Sequence, residues 1–191
     1  GDRLAFGADV NTLYRFENAD VILSLDADFL FRGPANVRYA RDFASKRRVR
    51  QGKAEMNRLY VIETTPSITG AMADHRIALR PSEIPNFAGA IAAKMGLSVQ
   101  ASADAQRSQW IDALVRDLQK RRGACAVVAG DQQPPAVHAL ARRISSGTEE
   151  FVRAVTSCPR VVRKTRPLPK VRTKARGGSF LSRTEVALAR M

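Results

Sequence analysis

The chain has 191 residues, of which 45% are apolar, and this is enough for one globular domain with a buried core. It has 32 Lys and Arg against 18 Asp and Glu, a net charge of +14. Two cysteines and no run of about 20 apolar residues exclude a disulfide framework, an iron–sulfur cluster and a spanning helix from this sequence.

Charge divides the chain into two regions. Residues 151–191 hold 11 basic residues and one acid, whereas residues 1–150 hold 21 and 17. Basic residues alternate with Val, Thr and Pro after position 156 and show neither a helical nor a strand period. We therefore predict an α/β domain over residues 1–150 and a disordered basic tail over residues 151–191.

A buried strand over Val21–Leu25 is the centre of the predicted domain. It is apolar at four of five positions and runs directly into Asp26, Asp28 and Gly33. In an open parallel sheet, ligands bind at the carboxyl ends of such strands. The turn after Leu25 is thus the first place to expect a site.

Strand and helix patterns alternate through the rest of the domain. Strands are predicted at Arg58–Glu63, 76–79 and 124–129, and helices at 34–48, 68–73, 81–95, 104–122 and from Pro134 onward. This alternation predicts an open, mostly parallel sheet with helices on both faces, a Rossmann-like α/β fold.

Four stretches of the predicted domain form a recognisable series: residues 19–25, 61–65, 69–81 and 127–131. In this order they resemble the α/β domain of molybdopterin oxidoreductases of the bis(pyranopterin) type. More narrowly, they resemble the fused molybdopterin-like and iron–sulfur subunit of alternative complex III, a membrane-bound quinol-oxidising assembly.

The resemblance implies a set of candidate cofactor-binding residues for a molybdopterin dinucleotide. They lie in the turns that follow the strands and in the Arg-Pro segment of the family: Asp26, Asp28, Glu63, Thr64, Arg80, Ser82, Glu83, Gly130 and Asp131. No cysteine stands where it would hold molybdenum or a cluster, so no catalytic residue and no metal ligand is assigned.

Two departures from the family pattern bear on that cofactor. Asp26 and Asp28 stand where the family has Gly and Asn, and a carboxylate there adds bulk and negative charge against an anionic dinucleotide. Ser82 and Glu83 replace the Gly-Thr-Asp that follows Arg-Pro. We therefore expect a domain that has lost its cofactor.

The leading interpretation is a fragment of a molybdopterin-oxidoreductase-like subunit. By resemblance, it is a structural domain of a respiratory electron-transfer complex, without independent catalysis. Its expected partners are other domains and subunits of that complex, peripheral on the periplasmic side of a bacterial inner membrane.

Two alternatives from other classes remain open. A small phosphate- or nucleotide-binding domain would hold Mg²⁺ through Asp26, Asp28 and Asp131, since hard cations take oxygen ligands. A nucleic-acid-binding protein would use residues 151–191 nonspecifically. Against the first, no P-loop and no Gly-x-Gly-x-x-Gly follows any strand.

Overall fold

The computed structural model describes residues 13–49, 52, 55–99 and 107–145. The predicted basic tail and the first part of the predicted helix at 104–122 lie outside these residues. Four parallel strands form one sheet, in which the third, second, first and fourth strands of the chain follow one another from edge to edge. The predicted fold class, an open parallel sheet with helices on both faces, is confirmed.

The strands are β1 (Val21–Leu25), β2 (Arg58–Glu63), β3 (His75–Ala78) and β4 (Cys125–Ala129). In the register of the central strand, Leu25 pairs with Ile62 of β2 on one side and with Ala129 of β4 on the other. β1 and β4 are buried at every position, as expected for strands covered on both faces.

Among the described residues, four helices lie between the strands and a fifth follows β4: α1 (Asn36–Arg47), α2 (Ile68–Ala71), α3 (Ile84–Lys94), α4 (Ser108–Lys120) and α5 (Pro135–Ser145). A short 3-10 turn, Phe16–Asn18, precedes β1. The third helix begins three residues later than predicted, because residues 80–83 close a turn in which Glu83 N–H donates to the Arg80 carbonyl at 3.0 Å.

Two apolar cores lie on the two faces of the sheet. Alternate strand residues such as Leu23 and Ile62 pack on one face against α3, α4 and α5. Their neighbours Ile22 and Val61 pack on the other face against α1 and the residues around the 3-10 turn. Because successive strand side chains point to opposite faces, one run of apolar residues supplies both cores.

Candidate functional site

The carboxyl ends of β1, β2 and β4 meet at the point where the strand order reverses. β1 lies between β2, which follows it in sequence, and β4, which is far along the chain. In open α/β sheets this reversal separates the loops after the strands and opens a crevice for ligands. The residues that follow these strands are Asp26, Thr64 and Gly130.

Asp26 is the centre of the contacts at this edge. The N–H and the hydroxyl of Thr64 donate to its Oδ1 at 2.9 and 3.2 Å. The side-chain amides of Gln132 and Gln133 donate to its Oδ2 at 2.9 and 3.1 Å. One carboxylate therefore accepts from both loops that border the crevice.

The backbone at Asp26 closes the same crevice. Gln132 Nε2 also donates to the Asp26 carbonyl at 2.7 Å. A Cβ placed on Gly130 would lie 2.1 Å from that carbonyl oxygen, so the turn after β4 lies directly against the turn after β1. Asp26 itself has a φ of +56°, a left-handed conformation that Asp and Asn adopt more readily than most residues.

Gln133 has one atom whose hydrogen-bonding capacity is not met. Its side chain is only 6% exposed, and Oε1 is buried without a hydrogen bond from any described residue. Buried polar atoms are nearly always hydrogen-bonded. Gln133 Oε1 is therefore an acceptor beside Asp26 that a further donor could use.

Asp28 links the turn after β1 to the start of α2. Its Oδ1 accepts from the Thr69 N–H at 3.0 Å and from the Thr69 hydroxyl at 2.8 Å. The Leu30 N–H donates in turn to that hydroxyl oxygen at 3.1 Å. Thr69 is fully buried, so this carboxylate serves the packing of α2 against the turn.

Glu63 ends β2 as a buried, paired carboxylate. It is 3% exposed, forms a salt bridge with Arg76 of β3 and accepts from the Ser67 hydroxyl at 2.6 Å. Ser67 also caps α2, accepting from the Gly70 N–H at 2.9 Å. A Cβ on Gly70 would lie 2.1 Å from Glu63 Oε1, so only glycine fits at that position.

The other predicted site residues lie apart from the contacts of Asp26. Glu83 Oε2 accepts from the Arg80 N–H at 2.9 Å, and Glu83 Oε1 lies 3.8 Å from Arg107. Ser82 and Asp131 are exposed. The structure thus brings Asp26, Thr64 and Gly130 together. It places Asp28 and Glu63 in separate contacts around α2. Arg80, Ser82 and Glu83 lie in the turn before α3.

Charge at the carboxyl edge is close to balanced. Five carboxylates follow or end the strands there: Asp26, Asp28, Glu63, Glu83 and Asp131. Four guanidinium groups lie at the same edge: Arg32, Arg76, Arg80 and Arg107. Glu63 is paired with Arg76, and Arg107 lies near Glu83. Among the described residues, the edge therefore has no excess of positive charge with which to attract an anionic dinucleotide.

Three residues that sequence reasoning missed complete the edge: Thr69, Gln132 and Gln133. Thr69 follows the capping Ser67, and the glutamines follow the turn that starts at Gly130. Polar side chains in a strand-to-helix turn are the only available signal for them. That signal predicts donors at the edge but not the atom to which they donate.

A second polar cluster lies at the opposite, amino edge of the sheet. Tyr60 of β2 donates its hydroxyl to Asp117 of α4 at 2.6 Å, and Arg58 forms a salt bridge with the same carboxylate. Burial, together with the Asp117 charge, raises the pKa of Tyr60 to about 12. Burial alone would raise the pKa of Asp117, but the hydrogen bonds from Tyr60 and Arg58 outweigh it and the pKa is lowered.

A cleft of about 350 Å³ lies beside this cluster, lined by Lys46, Asn57, Arg58 and Arg121 among others. Asn57 is 3% exposed, and its Oδ1 has no hydrogen-bond partner among the described residues. Cys125 of β4 is buried nearby, and its thiol donates to the Arg121 carbonyl at 3.0 Å. Burial, followed by the charges of Asp20 and Asp117, raises the pKa of that thiol to about 12.

Within the described parts of the chain, no group of three His, Cys, Asp or Glu side chains is placed to hold a metal ion. In the same residues, no helix has the length and apolar character needed to cross a membrane. No protein-family model matches this chain, and no curated protein matches it.

Proposed function

We propose that this chain is a fragment of a molybdopterin-oxidoreductase-like subunit whose α/β domain has a structural role in a respiratory, quinol-oxidising complex. In this proposal the domain does not bind a pterin dinucleotide. The four stretches that resemble the family support the origin of the domain, and the contacts of Asp26 support the loss of the cofactor.

The observation that carries the proposal is the position of the Asp26 carboxylate. Loops at the carboxyl edge of a dinucleotide-binding sheet hold phosphate through free N–H donors. Here the donors of Thr64, Gln132 and Gln133 are used by a carboxylate of the chain itself. An anion is therefore already built into the place where a phosphate would bind.

The close approach of the two turns supports the same conclusion. Gly130 lies against the Asp26 carbonyl, so the gap between the turns after β1 and β4 is closed by backbone. A dinucleotide would have to displace Gln132 from two hydrogen bonds before it could enter. Breaking these hydrogen bonds would cost free energy, and the balanced charge of this edge would not offset that cost by attracting the anion.

The second candidate function is a Mg²⁺-dependent phosphate-binding domain, and the structure offers it less support. The Asp26 carboxylate already accepts four hydrogen bonds, and one oxygen of Asp28 accepts two. Asp131 is exposed, and its side chain forms no hydrogen bond or ion pair with a described residue. A hard cation would have to compete with donors for two of its three carboxylates.

The structural role is tested in the organism that encodes the chain. The chain carries an affinity tag, and detergent-solubilised membranes are separated on a native gel with an in-gel quinol-oxidation stain. We expect the chain to migrate with a large quinol-oxidising assembly, and denaturation of the purified material to release no pterin in proportion to this chain. Migration as a free small protein would overturn the assignment to a complex, and stoichiometric pterin bound to this chain would overturn the loss of the cofactor.

A further inference from the structure

The amino edge of the sheet concentrates positive charge. In a parallel sheet the connecting helices run opposite to the strands, so the last turns of α1 and α4 reach this edge. They bring the basic runs 46–48 and 120–122 beside Arg58 at the start of β2. We call residues 46–49, 55–58 and 120–122 the amino-edge surface.

Ion pairs use only part of that charge. Lys46 lies 2.6 Å from Asp20, and Arg121 lies 2.9 Å from Glu55. Arg47 is paired with Asp74, which precedes β3. Arg58 is paired with Asp117 near the end of α4. Each acidic side chain at this edge is thereby paired with a cation.

Three cations are left over: Arg48, Lys120 and Arg122. All three are exposed, and none has a side-chain partner among the described residues. A basic last turn is favourable at a helix carboxyl terminus, and this explains one cation at each helix end. Because the parallel topology places both helix ends at the same edge, the three unpaired cations form one positively charged surface.

Exposed apolar side chains accompany these cations. Val49 follows α1 directly and is 61% exposed, and Met56 precedes β2 and is 51% exposed. Exposed large apolar side chains beside cations are typical of surfaces that bind at a membrane interface. There the cations meet anionic headgroups, and the aliphatic groups enter the boundary of the acyl chains.

We propose that the amino-edge surface docks on an anionic phospholipid membrane. Charge complementarity supplies the attraction through Arg48, Lys120 and Arg122, and Val49 and Met56 enter the interface. Nucleic acid is the weaker choice, because base stacking needs exposed aromatic rings and the described part of this surface has none. The proposal rests on the charge and exposure of this edge and does not depend on the proposed function.

The test uses the full chain and flotation with vesicles of phosphatidylcholine alone or mixed equally with phosphatidylglycerol. The variant Arg48→Ser/Arg122→Ser is compared with Arg32→Ser/Arg80→Ser, which removes two guanidinium groups from the opposite edge. Residues 151–191 are identical in both, so the basic tail contributes equally. Each cation beside an anionic bilayer changes partitioning by about fivefold, so we expect the amino-edge pair to lose about 25-fold.

A second comparison tests the apolar contribution. Val49→Ser/Met56→Ser is set against Val37→Ser/Ile68→Ser, whose native side chains are exposed at the other edge. At high salt, where the electrostatic attraction is screened, only Val49→Ser/Met56→Ser should weaken the remaining binding to anionic vesicles.

Two results would overturn the proposal. The first is equal loss of binding in the amino-edge pair and its control, which would assign the effect to net charge or to the tail. The second is a preference for polyglutamate or DNA over anionic vesicles that the amino-edge pair abolishes, which would assign the surface to an acidic protein or a nucleic acid.

Discussion

The Gln132 side-chain amide donates to both the carbonyl and the carboxylate of Asp26, at 2.7 and 2.9 Å. These residues lie 106 positions apart and join the turns after β1 and β4, where a parallel sheet would otherwise be open. Asp26 is thus a structural anion at the switch point of the sheet, where doubly-wound α/β folds in general bind ligands.

We expect Asp26→Ala to lower the free energy of unfolding by about 3 kcal/mol, because several buried or half-buried donors lose a charged acceptor. Asp26→Gly should be about 1 kcal/mol less harmful, since glycine adopts the positive φ without strain. Chemical denaturation measures both.

The exposed Asp131 provides the control for these variants. It is the same residue type at the same edge, and its side chain forms no hydrogen bond or ion pair with a described residue, so Asp131→Ala should change stability by less than about 0.5 kcal/mol. If Asp26→Ala were as mild as Asp131→Ala, the carboxylate would not hold the turns together.

Gly70→Ala should cost about 3 kcal/mol of stability. The new Cβ would overlap Glu63 Oε1 and separate this buried carboxylate from Arg76. In Gly70→Ala/Glu63→Ala the overlap is gone. The double variant should therefore lose less free energy of unfolding than the sum of the losses in the two single variants. Simple additivity would show that the strain lies elsewhere.

Stability should fall as the pH rises from 10 to about 12, because the pKa of Tyr60 is raised by burial and by the Asp117 charge. The folded state holds the neutral phenol, so its contribution is complete below pH 10 and is lost as pH passes through the folded pKa. The difference in the free energy of unfolding between the wild type and Tyr60→Phe, measured in urea at each pH, isolates this contribution.

At neutral pH, Tyr60→Phe should cost about 1.5 kcal/mol, the value of a hydrogen bond to a charged acceptor. The difference between the two proteins should shrink above pH 10. A difference that stays constant across this range would mean that the Tyr60 hydroxyl titrates alike in the folded and unfolded chains.

Cys125 should resist thiol reagents in the folded protein. Burial raises its pKa to about 12, and its side chain is 4% exposed, so the thiolate is scarce and shielded. In a Cys158→Ser chain, a disulfide-exchange reagent at mild alkaline pH should react only after denaturant is added. Rapid reaction without denaturant would mean that β4 opens readily at this position.

The sequence predicts the sheet well because its signals are local. The apolar runs at Val21–Leu25 and Arg58–Glu63 end at the residues where the structure ends β1 and β2. Parallel strands place their carboxyl ends at one edge, and this rule correctly brings Asp26 near Thr64.

The sequence does not predict what those side chains contact. Whether Asp26 faces a ligand or the amides of Gln132 and Gln133 depends on rotamers set by packing, not on spacing along the chain. The amino-edge cluster is missed for a related reason, since Tyr60 and Asp117 are 57 positions apart and neither belongs to a motif. The roles in cofactor binding that the resemblance implies stay predictions.

We propose that the Asp26 carboxylate occupies the place of a bound phosphate in the crevice at the carboxyl ends of β1, β2 and β4. The most direct test of this proposal is a two-dimensional amide NMR titration of the full chain with GDP, which carries the guanosine and the pyrophosphate of a pterin guanine dinucleotide, up to millimolar concentration with and without Mg²⁺. We predict no saturable shifts at the amides of Thr64, Gly130 and Gln132. Saturable shifts confined to those amides would contradict the account and show that the crevice still binds a nucleotide.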